Sequence, residues 1–171
     1  MSLATGQIKD ERVQLVDAVN RPCGSASRRM MRRYRLWHRA TYVFVRNRLG
    51  ELCVQERTLT KEVFPGDYDL ATGGVVGAGE AVAIAARREL AEELGIESVR
   101  LTPCFEFRFA EQGHHVFGSV FLVDYDGPLR LQAEEVASAN WLSVAEALDL
   151  RRATPDTHRA LTLMCARHWL G

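Results

Sequence analysis

The chain has 171 residues, 47% hydrophobic and 26% charged, the proportions of a soluble globular protein long enough to bury a core. Its 22 basic residues balance 22 acidic ones, so no global field points toward DNA or an anionic membrane. Cys23, Cys53, Cys104 and Cys165 are scattered without a CxxC pair, which suits reduced cytoplasmic thiols better than a disulfide framework or a zinc ribbon.

The opening "MSLATGQIKDER" lacks the apolar stretch of a signal peptide, and the longest apolar runs are strand-sized, so no membrane span is expected. "VQLVDAVNRPCGSASR" reads as two short strands around an Asn20-Arg21-Pro22 turn. The basic run from Arg28 to Arg39, with Met30, Met31, Tyr34 and Trp37 interleaved, reads as a solvated helix face over an apolar stripe. Its other reading is an anion-binding surface. "ATYVFV" is apolar on both faces and belongs at the centre of a sheet. "RNRLGE" then turns the chain into "LCVQER" as a hairpin. From Thr58 to Ala78 runs a Gly-rich loop, and a loop of that length inside a domain is usually functional.

A helix is expected from Glu80 to Leu94, with Ala83, Ala86, Leu90 and Leu94 as its buried stripe and Gly95 as its C-cap. "CFEFRFA" alternates Phe105, Phe107 and Phe109 with polar residues, a half-buried strand. "EQGHH" is read as the turn into a second strand, "VFGSVFLVDY". "SANWL" is a short strand leading to Ser143, whose spacing to Glu146 makes a capping box. Thr154 before Pro155 signals the N-terminus of a last helix, "PDTHRALTLMCARHWL". This order predicts an α/β fold with a mixed sheet flanked by helices in one domain over residues 1–171. Residues 1–36 would form an N-terminal hairpin and basic segment, and 37–171 the main fold.

The acidic helix poses a question. Glu89, Glu92 and Glu93 fall within an arc of about 100°, and like charges at these spacings cost roughly 0.2–0.5 kcal/mol a pair. Arg88 offers partial relief through Glu92, four residues on. The cluster is either a solvated acidic face or a cation site. Reading outward, "GVVGAGEAVAIAARRELAEELGI" (residues 74–96) fits G-x5-E-x7-R-E-U-x-E-E-x-G-U, where U is a bulky aliphatic residue. With roughly 7% per residue type, the seven fixed positions would coincide about once in 10⁸ frames.

The chain thereby resembles the Nudix superfamily, whose members mostly hydrolyse a nucleoside diphosphate linked to another moiety. The resemblance implies an α/β/α sandwich, here with an N-terminal β-hairpin extension, and Mg²⁺ as cofactor with Mn²⁺ as a substitute. It assigns Glu92 and Glu93 as metal ligands, Glu89 as a ligand or the base that activates water, and the Gly74 carbonyl as a further ligand. Arg88 would hold a glutamate in place, and Glu80 would be structural.

"HRATYVFV", "GELCVQERTLTKEVFPGDYD" and "ATGGVVGAGE" further resemble the isopentenyl-diphosphate-isomerase-like branch. There Arg57 and Lys61 match a pair that grips a diphosphate, and Glu135 matches an acidic position that supplies a ligand or base, with Glu134 its neighbour. The chain departs from the isomerases where they carry a catalytic cysteine and a metal-binding histidine, because Gly73 and Val75 stand there. His38 is therefore expected to be a packed or hydrogen-bonded imidazole, and His114 and His115 a poor chelating pair. Phe64, Tyr68 and Trp141 are either base-stacking residues or core anchors.

These readings predict a cytoplasmic, Mg²⁺-dependent hydrolase of a diphosphate linkage in a nucleoside diphosphate derivative or another small organic diphosphate, with no DNA or membrane partner and a homodimer open to it. The alternatives are an isomerase-type enzyme and a catalytically silent nucleotide-binding module.

Overall fold

The computed structural model describes residues 11–171, so the expectation of no leader falls outside the described residues. Among them no helix is long and apolar enough to cross a membrane. The fold is built around β3 (His38–Arg46), the strand expected at the centre. It pairs in parallel with β7 (His114–Asp124) along its whole length, from His38↔Val116 to Arg46↔Asp124. β7 turns back antiparallel onto β6 (Thr102–Glu111).

Both central strands are apolar on two faces because helices cover each side. Tyr42 and Phe44 of β3, with Val120 and Leu122 of β7, face a core closed by α3 (Val144–Asp149) and α4 (Pro155–Ala166). Val43, Val45, Phe121 and Val123 face the other way, against Ala86, Leu90 and Leu94 of α2 (Val82–Leu94). The two-residue period of the strands thus sorts one continuous apolar run into two cores. The result is the expected α/β/α sandwich.

The other edge of β3 is divided among three partners. β1 (Arg12–Val16) meets its start at Leu15↔His38, and β4 (Leu52–Arg57) meets its end at Arg46↔Leu52. Between them the loop segment 72–76 bonds to β3, with Thr41 N–H donating to the Gly74 carbonyl at 2.9 Å and Val76 N–H to that of Arg39 at 2.9 Å. The expected β3–β4 hairpin therefore pairs at one position only. β4 instead joins β8 (Val136–Leu142) and the two-residue β5 (Tyr68–Asp69). The long loop is thus partly sheet, and that edge pairing fixes Gly74 beside β3.

β1 and β2 (Pro22–Ser27) form the N-terminal hairpin, followed at once by α1 (Arg28–Arg33). The Ser143–Glu146 capping box is present in both directions, at 2.8 and 3.2 Å. Two expectations are corrected. His114 and His115 lie in β7, because the turn is only Gln112-Gly113, both at positive φ (52° and 79°) as a type I′ hairpin requires. The last helix stops at Ala166, where Arg167 leaves helical geometry.

Gly118 sits in β7 where a Cβ would lie 2.6 Å from Tyr42 Cε2 and against the Phe107 ring. Gly118→Ala is expected to destabilise the fold by about 1–3 kcal/mol through overpacking, read as a lowered urea midpoint with an unchanged m-value.

Candidate active site

The chemistry-bearing side chains hang on α2. Its ridge of Val82, Ala86, Leu90 and Leu94 packs into the core. The adjacent i,i+4 row holds Ala85, Glu89 and Glu93, so the two glutamates line up beside the buried face. Glu89 is only 7% exposed and Glu93 half-buried, while Glu92 points to solvent. Ala83 faces solvent, and Ala85 takes the buried place expected for it. The helix begins at Val82 rather than Glu80, with Ala81 at the N-cap giving no side-chain bond. At the other end Gly95, at φ 68°, closes the helix as predicted.

Glu80 is thereby free of the helix and meets Arg88 through two bonds, Nε–Oε2 at 2.9 Å and Nη2–Oε1 at 3.0 Å. Glu80 Oε1 also accepts from the Gly77 N–H at 3.0 Å. Arg88 Nη1 reaches on to Glu89 at 2.9 Å and to Glu92 at 3.4 Å. The expected Arg88–Glu92 contact is therefore the longest of its bonds. The hydrogen bonds from Arg88 hold the Glu80 carboxyl below the ordinary glutamate range. Burial pushes Glu89 upward against the pull of Arg88. Burial pushes Glu93 further, up to about 8, helped by Glu89 and Asp69 and opposed by Lys61 and Gln55.

The glycines opposite leave room for these carboxylates. A Cβ at Gly74 would stand 2.5 Å from Glu89 Oε1, so only glycine admits that approach. A Cβ at Gly73 would drive into the Thr41 carbonyl. This backbone therefore cannot present a cysteine where the isomerases carry theirs.

A cavity of about 280 Å³ gathers every site residue read from the sequence: Arg57, Lys61, Gly74, Arg88, Glu89, Glu92, Glu93 and Glu135. Their partners differ from expectation. Arg57 donates to Asp69 at 2.7 Å and to the Val63 carbonyl at 2.8 Å, bracing the loop. Lys61 pairs with Glu135. Glu134 is exposed. His38 is buried with Nδ1 3.0 Å from the Leu36 carbonyl oxygen, and burial lowers its pKa. Phe64 lines the cavity beside His114, at 5.4 Å between ring centres, whereas Tyr68 and Trp141 pack against the two cores.

Sequence reasoning missed the cavity floor. There the buried Tyr42 hydroxyl donates to Asp156 at 2.8 Å, and Thr154 donates to Asp69 at 2.8 Å. Thr154 holds the N-cap position expected of it, but its hydroxyl serves Asp69 instead of the helix. The Thr154-Pro155 signal marked the place without revealing that partner.

A metal can be tested against this donor set. Among the described residues no three acidic, imidazole or thiol groups converge closely enough to hold an ion alone. Mg²⁺ asks for less, commonly one or two carboxylates with water and substrate phosphate completing its octahedron. Glu89, packed against Gly74, and Glu93, one turn further along α2, suit that requirement, while the Gly74 carbonyl oxygen accepts from the Thr41 N–H and would share a remaining lone pair.

Residues 36–164 match the NUDIX domain family. An uncharacterized Nudix hydrolase from Pseudomonas aeruginosa is 45% identical over 156 residues, spanning 90% of this chain and 92% of its own. The uncharacterized Nudix hydrolase YfcD of Escherichia coli K12 is 40% identical over 159 residues, 92% of this chain and 88% of its own. Among solved structures, DR0079 from Deinococcus radiodurans superposes with a TM-score of 0.78 at 26% identity, covering 90% of this chain and 98% of that one. A MutT NUDIX hydrolase from Burkholderia pseudomallei, at 24% identity and a TM-score of 0.62 over 74% of this chain and 96% of its own, shares the fold. The chain belongs to the Nudix family, and it is an enzyme of the Nudix hydrolase kind. The isopentenyl-diphosphate-isomerase-like branch rests on the sequence resemblance alone.

Because the Glu80 pKa is lowered in the fold, its contribution to stability is full above the ordinary value of 4.5. It fades as pH falls through the depressed folded value. Glu80→Gln is therefore expected to lower the melting temperature at pH 7 and to match the native chain at the acid end, measured by thermal denaturation across pH 3–7.

Proposed function

We propose that the protein hydrolyses a diphosphate linkage in a nucleoside diphosphate derivative or another small organic diphosphate, with Mg²⁺ as its cofactor and Mn²⁺ as a substitute. The observation that carries this reading is the charge of the cavity. Seven carboxylate residues and five lysine or arginine residues line it. A cavity this rich in carboxylates disfavours an anionic diphosphate, and a divalent cation would offset that repulsion while favouring the charged form of the half-buried Glu93.

Glu89 and Glu93, with the Gly74 carbonyl, would hold that cation, and Glu92 would take part from the solvent side. When bound, it supplies neutralisation of the diphosphate and a more acidic water. Arg88 fixes the Glu89 carboxylate in the orientation that faces Gly74. Glu89 or Glu135 would accept the proton of the attacking water, Glu135 being the acid beside Lys61 across the cavity. Lys61 and Arg57 would face the phosphoryl oxygens, Lys61 as the more mobile of the two, since Arg57 is held by three acceptors. Gly73 supports hydrolysis over isomerisation, because protonation at carbon needs an acid that this position cannot carry.

The test is turnover in Mg²⁺ of nucleoside diphosphate sugars, dinucleotide cofactors, nucleoside di- and triphosphates, coenzyme A and isopentenyl diphosphate, followed by mass spectrometry in ¹⁸O-water. At least one is expected to be cleaved with label on a phosphate product, and Glu93→Gln to reduce kcat by about 10²–10⁴. Removal of the cation with EDTA should abolish turnover. Ligand binding without cleavage would transfer the case to a silent binding module, and dimethylallyl diphosphate as product to an isomerase.

A further inference from the structure

The family match begins at residue 36, yet the cavity does not end there. Glu11, Arg28, Met31 and Arg32 also line it, so α1, with Glu11 just before β1, contributes to its lining. Ser27 caps α1 by accepting from the Met30 N–H at 3.2 Å, and Met31 is buried, which fixes the rotation of this short helix. Arg28 and Arg32, one turn apart, then face the cavity, while Arg29 and Arg33 are exposed and lie outside its lining.

Arg28 carries an unusual deficit. Its Nε is buried and finds no hydrogen-bond partner among the described residues. Among the described residues its one ion-pair partner is Glu11, 3.1 Å from Nη2. A buried donor on a charged group left unpaired is costly, and native structures seldom keep one without use. The same side chain lines the cavity that Lys61, Glu89 and Glu93 also line. Arg32 is held by Glu62 at 2.5 Å, but the two side chains are 36% and 78% exposed. An ion pair that open to water is worth little and exchanges readily for a better anion.

We propose that Arg28 and Arg32 form a phosphoryl-binding subsite, contributed by the segment before the family domain, and that Glu62 competes with the substrate for Arg32. It deepens the hydrolase reading and rests on it for the identity of the ligand as a diphosphate. The guanidinium fork suits two phosphoryl oxygens at once, which a lysine cannot match. The other cavity cations already have carboxylate partners, Arg57 with Asp69, Lys61 with Glu135 and Arg88 with three glutamates, so each would meet a phosphoryl oxygen by sharing. Arg28 is the donor left with capacity, and Arg32 the one whose partner is most easily displaced.

The probe is methylenediphosphonate, whose P–C–P bridge is not hydrolysed, titrated calorimetrically in Mg²⁺ into the full chain. Arg28→Met, which keeps much of the aliphatic stem, is expected to weaken binding about tenfold or more, and Arg32→Met about threefold to tenfold. Glu62→Gln should tighten binding about twofold to fivefold by releasing Arg32. Arg29→Met, off the cavity, should stay within about twofold of the native chain. A purely structural α1 would leave Glu62→Gln without gain, and that result overturns the subsite. So would equal effects of Arg28→Met and Arg29→Met, or no binding by the native chain. Should Arg28→Met unfold α1, Glu62→Gln still decides, since it leaves the helix untouched. The predicted pattern of affinities in a protein that cleaves no diphosphate would strike the hydrolase reading alone.

Discussion

The guanidinium of Arg88 donates to Glu80, Glu89 and Glu92 together, and the rest of the site is arranged by that sharing. Three glutamates within one turn and a half of α2 repel one another, and their helix would rather scatter them into solvent. Arg88 turns the repulsion into order. It draws Glu80 in from beyond the helix start, where Glu80 also secures the Gly77 N–H. It fixes Glu89 against Gly74, where any side chain would intrude. Glu93 is the carboxylate that Arg88 does not reach, and it is the one whose charge burial penalises most plainly. The clamp thus leaves one half-buried carboxylate outside its reach, beside another held in place, and on the proposed function that is where a cation would bind.

Backbone geometry makes this possible before any side chain acts. Residues 72–76 occupy the middle of the β3 edge and push β4 away to pair with β8. A hairpin of the kind the sequence suggests would have filled that edge and left no place for Gly74 opposite α2. The divided edge is therefore the structural origin of the site, and the glycines at 73 and 74 are there because β3 and Glu89 approach from either side.

What could be read from the sequence follows from how the chemistry is packed along the chain. The box from Gly74 to Ile96 is contiguous, and helical periodicity alone places its glutamates together. The two-sided core was legible for a similar reason, since "ATYVFV" has no polar face to offer water. The errors fall where a contact partner is remote or a boundary depends on geometry. Tyr42 and Asp156 are 114 positions apart, and nothing local to either announces the bond. Ala83 fits the apolar stripe by spacing, but it stands in the first turn of α2, where the structure leaves it exposed. His114 and His115 were put in a turn because two residues suffice for reversal once both accept positive φ. Arg57 was recognised as a cavity cation, but its engagement by Asp69 and two carbonyls depends on the fold of a loop with no periodicity.

That engagement shapes how the cavity can discriminate among ligands. Asp69 is half-buried, and desolvation raises its pKa even with Arg57 beside it. Thr154 gives Asp69 a second donor, and Thr157 bonds to the Leu70 N–H, so the loop before the box is tied to the first turn of α4. Tyr42 fastens α4 to β3 through Asp156. Buried polar networks of this kind hold one geometry well when their members are satisfied, because any rearrangement would strand a donor or acceptor. The floor is accordingly rigid, and Arg57 braces it. Further charge is available where α1 lines the cavity, with Arg32 in an exposed ion pair and Arg28 Nε without a partner among the described residues. A fixed floor and an exchangeable wall would then divide the work: the floor holds one geometry, and the proposed Arg28 and Arg32 subsite adds phosphoryl donors from the N-terminal segment.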